Sequence, residues 1–352
     1  MLEVYMAATI KDIARKTGLS TATVSKYLNK LPVKEENRKL IEEAILELQY
    51  RPNSSARALR AGRETTICII MSDLGNYFWA ETLLHITQYF TRNGFTVINR
   101  SYFFEQDKEE ELIRDLIAQR VSGVVLMSNT SKDHLYTLLQ EAQIPVVVLD
   151  KIPFEQEKYP VDCVLSDNYA GGAMLAEYLL ENGHKDVCIM SEYSDFYSIS
   201  TRIKGFSDTF RKAGIDLSRN PWNRRSPLHY ISSSQIQPAA CEEFRQLLAM
   251  PKLPTAVFFT TYEIAIGALS DGNAARIEIP GEISMVTFDD DILFRSLKFS
   301  MSCVEQNMVR LGTEASALLL RRIRGDWDDF PIYKYIDVVF HPRKSVRNIK
   351  TV

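Results

Sequence analysis

Short polar side chains surround Ser20, at the start of a predicted helix that follows another helix after a turn of only three residues. Serine is a preferred helix N-cap, so the next side chains fall in the first turns of that helix. Hydroxyl groups there suit hydrogen bonds to phosphates, while Lys26 can reach a guanine edge and Ala22 can contact a thymine methyl group. The pattern predicts contacts with double-stranded DNA, although a three-helix packing module without a DNA role would share it. The predicted contacts are Ser20, Thr21, Ala22, Thr23, Ser25, Lys26 and Asn29.

Three short helices are predicted to position these side chains. The first begins at Thr9 and ends at Gly18, the second follows the turn, and the third covers 34–50 and ends before Pro52. A tight turn that contains glycine sets two helices at the angle that places the second one in a major groove. We therefore predict a helix-turn-helix DNA-binding domain over residues 7–53.

Charge is unevenly distributed along the 352-residue chain. Residues 7–63 contain twelve lysines and arginines against six acidic residues, whereas the whole chain has a formal charge of −3. A basic end on an acidic body fits a protein that docks that end on a polyanion. The remaining composition, 45% hydrophobic and 25% charged, is that of a globular protein, and the length allows two or three domains.

Several classes of protein and site are disfavoured. No apolar run approaches the roughly 18 residues of a membrane span, and the N-terminus lacks a secretory signal pattern. We therefore expect a cytoplasmic protein that does not contact a membrane. The five cysteines are scattered among apolar runs and predict buried, reduced thiols. Because no histidine or cysteine spacing suits a metal ion, neither a metal nor another cofactor is predicted.

From residue 66 onward, apolar runs alternate with amphipathic stretches. Strands rich in Val, Ile and Leu, separated by helices, are typical of parallel sheets covered on both faces. Eight strands exceed one doubly wound sheet, so we predict two parallel-sheet α/β subdomains, with a ligand cleft at the carboxyl ends of the strands. The predicted strands are 66–71, 95–99, 123–127, 145–150, 163–167, 186–191, 255–260 and 284–289, and the predicted helices include 107–120, 168–182 and 309–324.

The run IKDIARKTGLSTATVSKYLN, followed by IEEAILELQYRPNSSARALRAG, resembles the head of LacI/GalR-family bacterial repressors. The resemblance implies that residues 54–64 form a hinge helix or linker that folds on the operator. It also implies that Leu59 enters the minor groove beside Arg57. An apolar wedge flanked by arginine is a known means of kinking DNA at the minor groove. The alternative for Leu59 is an ordinary linker leucine.

The segments SDNYAGGAMLAEYLLENGH, STRIKGF and IPGEISMVTFDD extend the resemblance through the body of the chain. They imply a periplasmic-binding-protein-like sensor, in which two subdomains joined by three crossovers close on a ligand. On this basis we assign 65–161 with 303–325 to the first subdomain, and 162–302 with 326–345 to the second. The predicted fold is thus an all-α helix-turn-helix head plus this two-subdomain α/β sensor.

The same resemblance implies a set of effector-binding residues. Carboxylates and an arginine at strand ends can make directed hydrogen bonds to hydroxyl groups, and aromatic faces can stack on sugars or bases. The alternatives are a surface ion pair for the arginine, loop caps for the carboxylates and plain core packing for the aromatic residues. The implied effector-binding residues are Phe78, Trp79, Asp150, Arg202, Tyr262 and Asp289.

The chain departs from the family pattern at two places. The family usually has Asn-Asp where this chain has Thr261 and Tyr262. A phenol in place of a carboxylate changes both shape and charge. That leaves open an effector that is anionic, larger or more aromatic than a common sugar, or no effector at all. The C-terminal segment HPRKSVRNIKTV has no leucine heptad, so we expect a homodimer rather than a tetramer.

These features predict a sequence-specific, DNA-binding transcriptional regulator, a repressor of the LacI/GalR type. It would bind a pseudo-palindromic operator and respond to a small molecule, a sugar or sugar derivative, that either releases the DNA or promotes its binding. A sugar-binding transport component would share the fold of the body but would lack the helix-turn-helix. An α/β enzyme is disfavoured, because the first strand is not followed by a Gly-x-Gly-x-x-Gly loop and no Gly-x-Ser-x-Gly elbow occurs, so no catalytic residue is predicted.

Overall fold

The computed structural model describes residues 8–28, 31–50, 65–72, 74–103, 105–127, 133–192, 196–226, 233–270, 272–296, 298 and 300–350. The chain divides into two compact units, Met1–Glu64 and Thr65–Val352. Within the described residues, no helix combines the length and the apolar character that crossing a bilayer requires.

The described part of the first unit is a bundle of three helices, α1 (Ile10–Thr17), α2 (Thr21–Leu28) and α3 (Glu35–Glu47). One residue or pair from each helix meets at a common core, as the helical spacing of the apolar residues requires. The fully or nearly fully buried members of this core are Ile13, Ala14, Val24, Ile41 and Ala44.

The second unit contains twelve described strands and nine described helices. The strands are β1 (Thr66–Met71), β2 (Thr96–Ser101), β3 (Gly123–Met127), β4 (Val146–Leu149), β5 (Asp162–Ser166), β6 (Val187–Glu192), β7 (Arg224–Ser226), β8 (Ala256–Phe259), β9 (Ser284–Phe288), β10 (Ser302–Glu305), β11 (Tyr333–Ile336) and β12 (Val339–His341). The helices are α4 (Tyr77–Arg92), α5 (Gln106–Ala118), α6 (His134–Glu141), α7 (Asn168–Glu181), α8 (Tyr197–Lys212), α9 (Ser233–Leu248), α10 (Tyr262–Leu269), α11 (Ile292–Ser296) and α12 (Met308–Ile323).

The strands form two six-stranded sheets, one in each subdomain. The first sheet has the order β11-β5-β4-β3-β1-β2 and is entirely parallel. The second has the order β12-β10-β9-β8-β6-β7, and only β12 runs antiparallel to its neighbour. Helices α4 and α12 cover one face of the first sheet, and α5 and α6 cover the other. In the second sheet, α7 and α8 pack on one face and α9 and α10 on the other. The predicted two parallel-sheet subdomains are confirmed.

The chain passes between the two sheets three times, as the resemblance implied. Strand β5 is followed by α7 of the second subdomain, β10 by α12 of the first, and β11 by β12 of the second. The predicted subdomain boundaries, 161/162, 302/303 and 325/326, are therefore wrong, each by one strand, because β5, β10 and β11 belong to the sheet that the chain is about to leave. An apolar run does not reveal its sheet, which is set by hydrogen bonds to strands distant in sequence.

The four strands that the sequence did not predict as apolar runs, β7, β10, β11 and β12, have only three or four residues each. They contain at most two consecutive apolar residues, whereas the equally short β4 and β8 are apolar throughout and were recognised. All five cysteines are buried free thiols, as predicted.

Helices α7 and α8 are held unusually close by two glycines that face each other's backbone. A Cβ atom on Gly172 would overlap the carbonyl oxygen of Arg202, and one on Gly205 would overlap the carbonyl oxygen of Tyr169. Because only glycine permits this approach, the two residues set the distance at which Arg202 stands from α7.

Candidate functional site

The turn between α1 and α2 is built by Gly18 and Ser20. Gly18 ends α1 with a φ of +68°, in the left-handed region where a residue without Cβ is unstrained. The Ser20 hydroxyl oxygen accepts a hydrogen bond from the backbone N–H of Thr23 at 3.2 Å and so caps α2. The predicted helix-turn-helix is confirmed, with α2 as its second helix.

The predicted DNA-contacting residues within the described part of the head lie at the start of α2 or along its first turns. Val24 is fully buried among them and fixes the inward face of the helix. The exposed residues are Ser20, Thr21, Ala22 and Lys26, and the half-buried ones are Thr23 and Ser25. The other predicted contacts, Asn29, Arg57 and Leu59, and the hinge segment 54–64 lie outside the described residues.

Helix α2 is joined to α3 by a hydrogen bond to Glu42, which Arg38 of α3 also contacts. The Tyr27 hydroxyl donates to Glu42 Oε1 at 2.9 Å, and Arg38 Nε donates to the same oxygen at 3.0 Å. Partial burial and then the bond to Glu42 raise the pKa of Tyr27, so the phenol stays protonated and remains a donor. This contact was not predicted from sequence. It fixes the rotation of α2 about its axis and keeps Lys26 on the outer face.

A cavity of about 420 Å³ lies between the two subdomains of the second unit, at the carboxyl ends of parallel strands. Strand β4 delivers Asp150 to the cavity, β6 delivers Glu192, and β9 delivers Asp289. Five of the six predicted effector-binding residues line it, namely Phe78, Trp79, Asp150, Arg202 and Asp289.

Arg202 is the central polar residue of the cavity and is only 3% exposed. Its Nε donates to Asn168 Oδ1 at 2.8 Å, and its Nη1 donates to the backbone carbonyl of Thr260 at 2.9 Å. The guanidinium carbon lies 3.8 Å from the centroid of the Phe288 ring, a cation–π contact. Arg202 is therefore a buried, fixed donor and not a surface ion-pair residue.

Asp150 and Asp289 approach Arg202 from opposite subdomains. Asn168 Nδ2 donates to Asp150 Oδ1 at 3.1 Å, and Arg202 Nη1 lies 3.6 Å from Asp289 Oδ2. Burial raises the pKa of both carboxyl groups, and the positive charge of Arg202 opposes that rise. Both aspartates also have positive φ angles, +55° and +73°. Such strained backbone conformations are concentrated at functional sites.

A second hydrogen-bonded chain links the subdomains at the crossovers. Ser166, at the end of β5, donates to Gln306 Oε1 at 2.5 Å, and Gln306 Nε2 donates to Asp289 Oδ1 at 2.5 Å. Gln306 follows β10, so one side chain connects two of the three crossovers to a cavity carboxylate. Gln306 was not predicted, because β10 contains only two consecutive apolar residues and was not recognised as a strand.

The aromatic pair Phe78 and Trp79 opens α4. Both are 7% exposed, and their ring centroids are 4.6 Å apart in an edge-to-face arrangement. They belong to the core cluster between α4 and the first sheet and also line the cavity. Phe78 and Trp79 therefore line the cavity and also pack in the core, so the predicted position and its alternative both apply.

Two further carboxylates line the cavity, and sequence analysis did not predict either. Glu192 is the last residue of β6, and Glu263 is the second residue of α10; they are 5% and 2% exposed. Glu192 ends its strand much as Asp150 and Asp289 follow theirs, so its position at a strand end was visible in the sequence. Glu263 gives no such signal, because it lies within a helix.

Tyr262, the sixth predicted effector-binding residue, lies elsewhere. It lines a smaller neighbouring cavity of about 270 Å³ and not the larger one. Its hydroxyl oxygen accepts a hydrogen bond from the backbone N–H of Tyr77 at 3.0 Å, so it connects α10 of the second subdomain to α4 of the first. Its neighbour Thr261 lines the larger cavity and caps α10. The phenol at this position therefore bridges the subdomains.

Among the described residues, one group of side chains has ligand atoms close enough for a metal ion: Asp290, Glu305 and His341, all within 4.8 Å of one another. Arg343 and Arg295 donate to Asp290 Oδ2 at 2.6 and 2.8 Å. Although burial alone would raise it, these bonds hold the pKa of Asp290 below its ordinary value. Because two guanidinium groups already bind Asp290, the three residues are explained as part of an ion-pair network.

The geometry so far defines a class: a helix-turn-helix head followed by a two-subdomain α/β domain with a polar ligand cleft. Residues 9–53 match the family described as bacterial regulatory proteins, lacI family. Residues 176–346 match the periplasmic binding protein-like domain.

Relatives and solved structures agree with this class over nearly the whole chain. The HTH-type transcriptional repressor PurR of Actinobacillus pleuropneumoniae serotype 3 (strain JL03) is 30% identical over 349 residues, covering 97% of this chain and 99% of that protein. The Lac repressor dimer bound to operator and the anti-inducer ONPF superposes with a TM-score of 0.81 at 20% identity, covering 97% of this chain and 100% of that one. The transcriptional regulator CelR in complex with cellobiose has a TM-score of 0.69 at 24% identity, covering 96% and 99%.

The chain therefore belongs to the LacI family of bacterial regulatory proteins. It is a DNA-binding transcriptional repressor of that family and not an enzyme.

Proposed function

We propose that this repressor acts as a homodimer on a pseudo-palindromic operator and is controlled by a hydroxyl-rich small molecule, a sugar or sugar derivative, bound in the cleft. The observation that carries the proposal is the convergence of Asp150 and Asp289, one from each subdomain, on the buried guanidinium of Arg202. A molecule that bridges the two carboxyl groups would couple the two subdomains.

The cavity chemistry favours a ligand that donates several hydrogen bonds. Ionised carboxylates only accept hydrogen bonds, so they pair with hydroxyl groups. The aromatic rings of Phe78 and Trp79 supply an apolar wall against which a sugar face can stack. Four carboxyl groups around one arginine disfavour an anionic effector, one of the possibilities that the sequence left open. A structural neighbour in complex with cellobiose supports the same ligand class.

On the DNA side, we propose that Lys26 and Ala22 contact base edges while the hydroxyl groups around Ser20 contact phosphates. Two heads of a dimer would read two half-sites about one helical turn, or a multiple of it, apart. Ligand binding would change the angle between the first subdomains and so the spacing of the heads. A coupling of about 1–3 kcal/mol, or about 5- to 150-fold in operator affinity, is typical of such systems.

The test is operator binding by fluorescence anisotropy, with and without each member of a sugar panel. Asp150→Asn is the decisive variant because it removes a charge while keeping the shape, and asparagine tolerates a positive φ. It should retain the operator affinity of the ligand-free protein and lose the ligand response. Replacing Arg202 with alanine is less informative, since it would leave buried carboxylates without their counter-charge.

Asp115→Asn, an exposed substitution on α5, is the matched control and should respond as the parent does. A parent protein whose operator affinity is changed by no sugar, or an Asp150→Asn protein with a full response, would contradict the proposal.

A further inference from the structure

The larger cavity is lined by more carboxyl groups than a neutral sugar requires. Among the described residues, its lining contains four carboxyl side chains, Asp150, Glu192, Glu263 and Asp289, against a single cation, Arg202. Arg202 is already engaged by Asn168 and by a backbone carbonyl on the described part of the chain. The charge balance of the site therefore depends on what binds there.

Glu192 is the residue whose environment is least complete. It is 5% exposed and lines the cavity, and its Oε2 atom has no hydrogen-bond partner among the residues that the structure describes. A buried carboxylate oxygen without a donor costs free energy that a bound donor would recover. Such an atom, at the wall of a ligand cavity, indicates a group that the ligand supplies.

The charged groups around Glu192 show which kind of donor fits. Burial raises its pKa to about 8, the negative charges of Glu263 and Asp289 add to that rise, and the positive charge of Arg202 opposes it. The protein thus offers Glu192 more negative than positive neighbours. A cationic donor is stabilised by all three carboxylates, whereas a neutral hydroxyl gains much less.

We propose that the ligand carries a protonated primary amine, bound between Glu192 and Glu263, and that the effector is therefore an amino sugar. This inference rests on the proposed function, since it specifies the sugar that the cleft binds. Asp150 and Asp289 remain available for the ring hydroxyl groups.

A metal ion is the main alternative cation, and the geometry disfavours it. No three of the four carboxylates in the larger cavity have ligand atoms within 4.8 Å of one another, given the described residues. A hard cation such as Ca²⁺ takes 6–8 oxygen ligands at close range, roughly 2.3–2.6 Å. An ammonium group needs only two or three acceptors.

The test is isothermal titration of the full-length protein with matched pairs of sugars: glucosamine and glucose, galactosamine and galactose, mannosamine and mannose. In at least one pair, the amine should bind about tenfold or more tightly than its hydroxyl counterpart, the effect of one charge-assisted hydrogen bond. Because the pKa of Glu192 is about 8 before binding, it is mostly protonated at pH 7. Amine binding should release close to one proton, seen as a dependence of the enthalpy on the buffer.

Glu192→Gln should reduce the preference for the amine to about threefold or less and abolish the proton release. Glu177→Gln, an exposed substitution on α7, is the matched control and should keep both. The proposal is overturned if no amino sugar binds more tightly than its counterpart, if Glu192→Gln keeps the full preference, or if Ca²⁺ or Mg²⁺ competes with the sugar for the site. A plain sugar that alters operator affinity and binds at least as tightly as every amino sugar tested would overturn the amine while leaving the proposed function standing.

Discussion

Tyr262 joins the two subdomains by one hydrogen bond, and the substitution Tyr262→Phe should weaken the closed cleft selectively. The change keeps a ring that is 7% exposed and removes only the oxygen that accepts from the Tyr77 N–H at 3.0 Å. A hydrogen bond of this kind contributes about 0.5–1.5 kcal/mol net. Because Tyr77 is 47% exposed, water can replace the lost acceptor once the cleft opens, so the loss falls on the closed form.

A loss of about 1 kcal/mol shifts the equilibrium between open and closed forms about fivefold. If the ligand binds the closed form, its apparent dissociation constant rises by up to that factor, since affinity scales with the fraction of competent protein. We expect a rise of about two- to fivefold in titrations with the sugar that the panel above selects. The affinity of the ligand-free protein for operator should change little.

Tyr169→Phe is the control for loss of a hydroxyl group that does not cross the cleft. The Tyr169 hydroxyl donates to Asp208 Oδ2 at 3.2 Å within the second subdomain. This variant should lose some stability to urea and bind the ligand as the parent does. If Tyr262→Phe also binds the ligand with unchanged affinity, the phenol is not a bridge between subdomains and the reasoning fails.

Three further predictions concern the head, the packing beneath Arg202 and a buried histidine. Lys26→Ala should weaken binding to the specific operator by about 1–3 kcal/mol and leave binding to random DNA nearly unchanged. Lys39→Ala, the same charge change on α3, is the control and should affect the two kinds of DNA equally. Equal losses on the two DNAs for Lys26→Ala would show that Lys26 takes no part in base recognition. Gly172→Ala should lower the free energy of unfolding by about 1–3 kcal/mol and weaken ligand binding, because the new methyl group displaces Arg202. Urea unfolding curves and ligand titrations like those of the parent would show instead that α7 and α8 can separate freely. Burial lowers the pKa of His184, so the folded state favours its neutral form. Its contribution to stability is therefore present above the unfolded pKa, about 6.5, and is lost as the pH falls below it. His184→Gln should flatten the loss of stability measured between pH 7.5 and 5.5, and an unchanged slope would assign that loss to other groups.

The head could be predicted almost completely from sequence because its determinants are local. Gly18 and Ser20 end one helix and begin the next through contacts within four residues. The orientation of α2, by contrast, depends on Glu42, fifteen residues from Tyr27. No periodicity identifies such a pair, so the helix was predicted and its anchoring was not.

The residues of the cleft show the same difference in predictability. Those at strand ends could be predicted from sequence, and those placed by long-range contacts could not. Asp150 and Asp289 directly follow strands that were predicted as apolar runs, and the resemblance identified both. Gln306 reaches the cavity from a strand with only two consecutive apolar residues, and Glu263 from inside a helix, so neither has a local signature. The misplaced subdomain boundaries have the same origin, since β5, β10 and β11 take their sheet from partners far away in the chain. Tyr262 was assigned to the ligand by position, whereas its contact is with the opposite subdomain.

The central claim is that a ligand in the cleft controls base recognition by α2, and DNA footprinting tests it most directly. Full-length protein is incubated with the DNA upstream of its own gene, with and without the sugar selected by titration. The account predicts a protected site made of two half-sites related by a dyad, whose protection changes when the sugar is added. Absence of protection under both conditions would contradict this claim. So would protection that does not change when the sugar is bound.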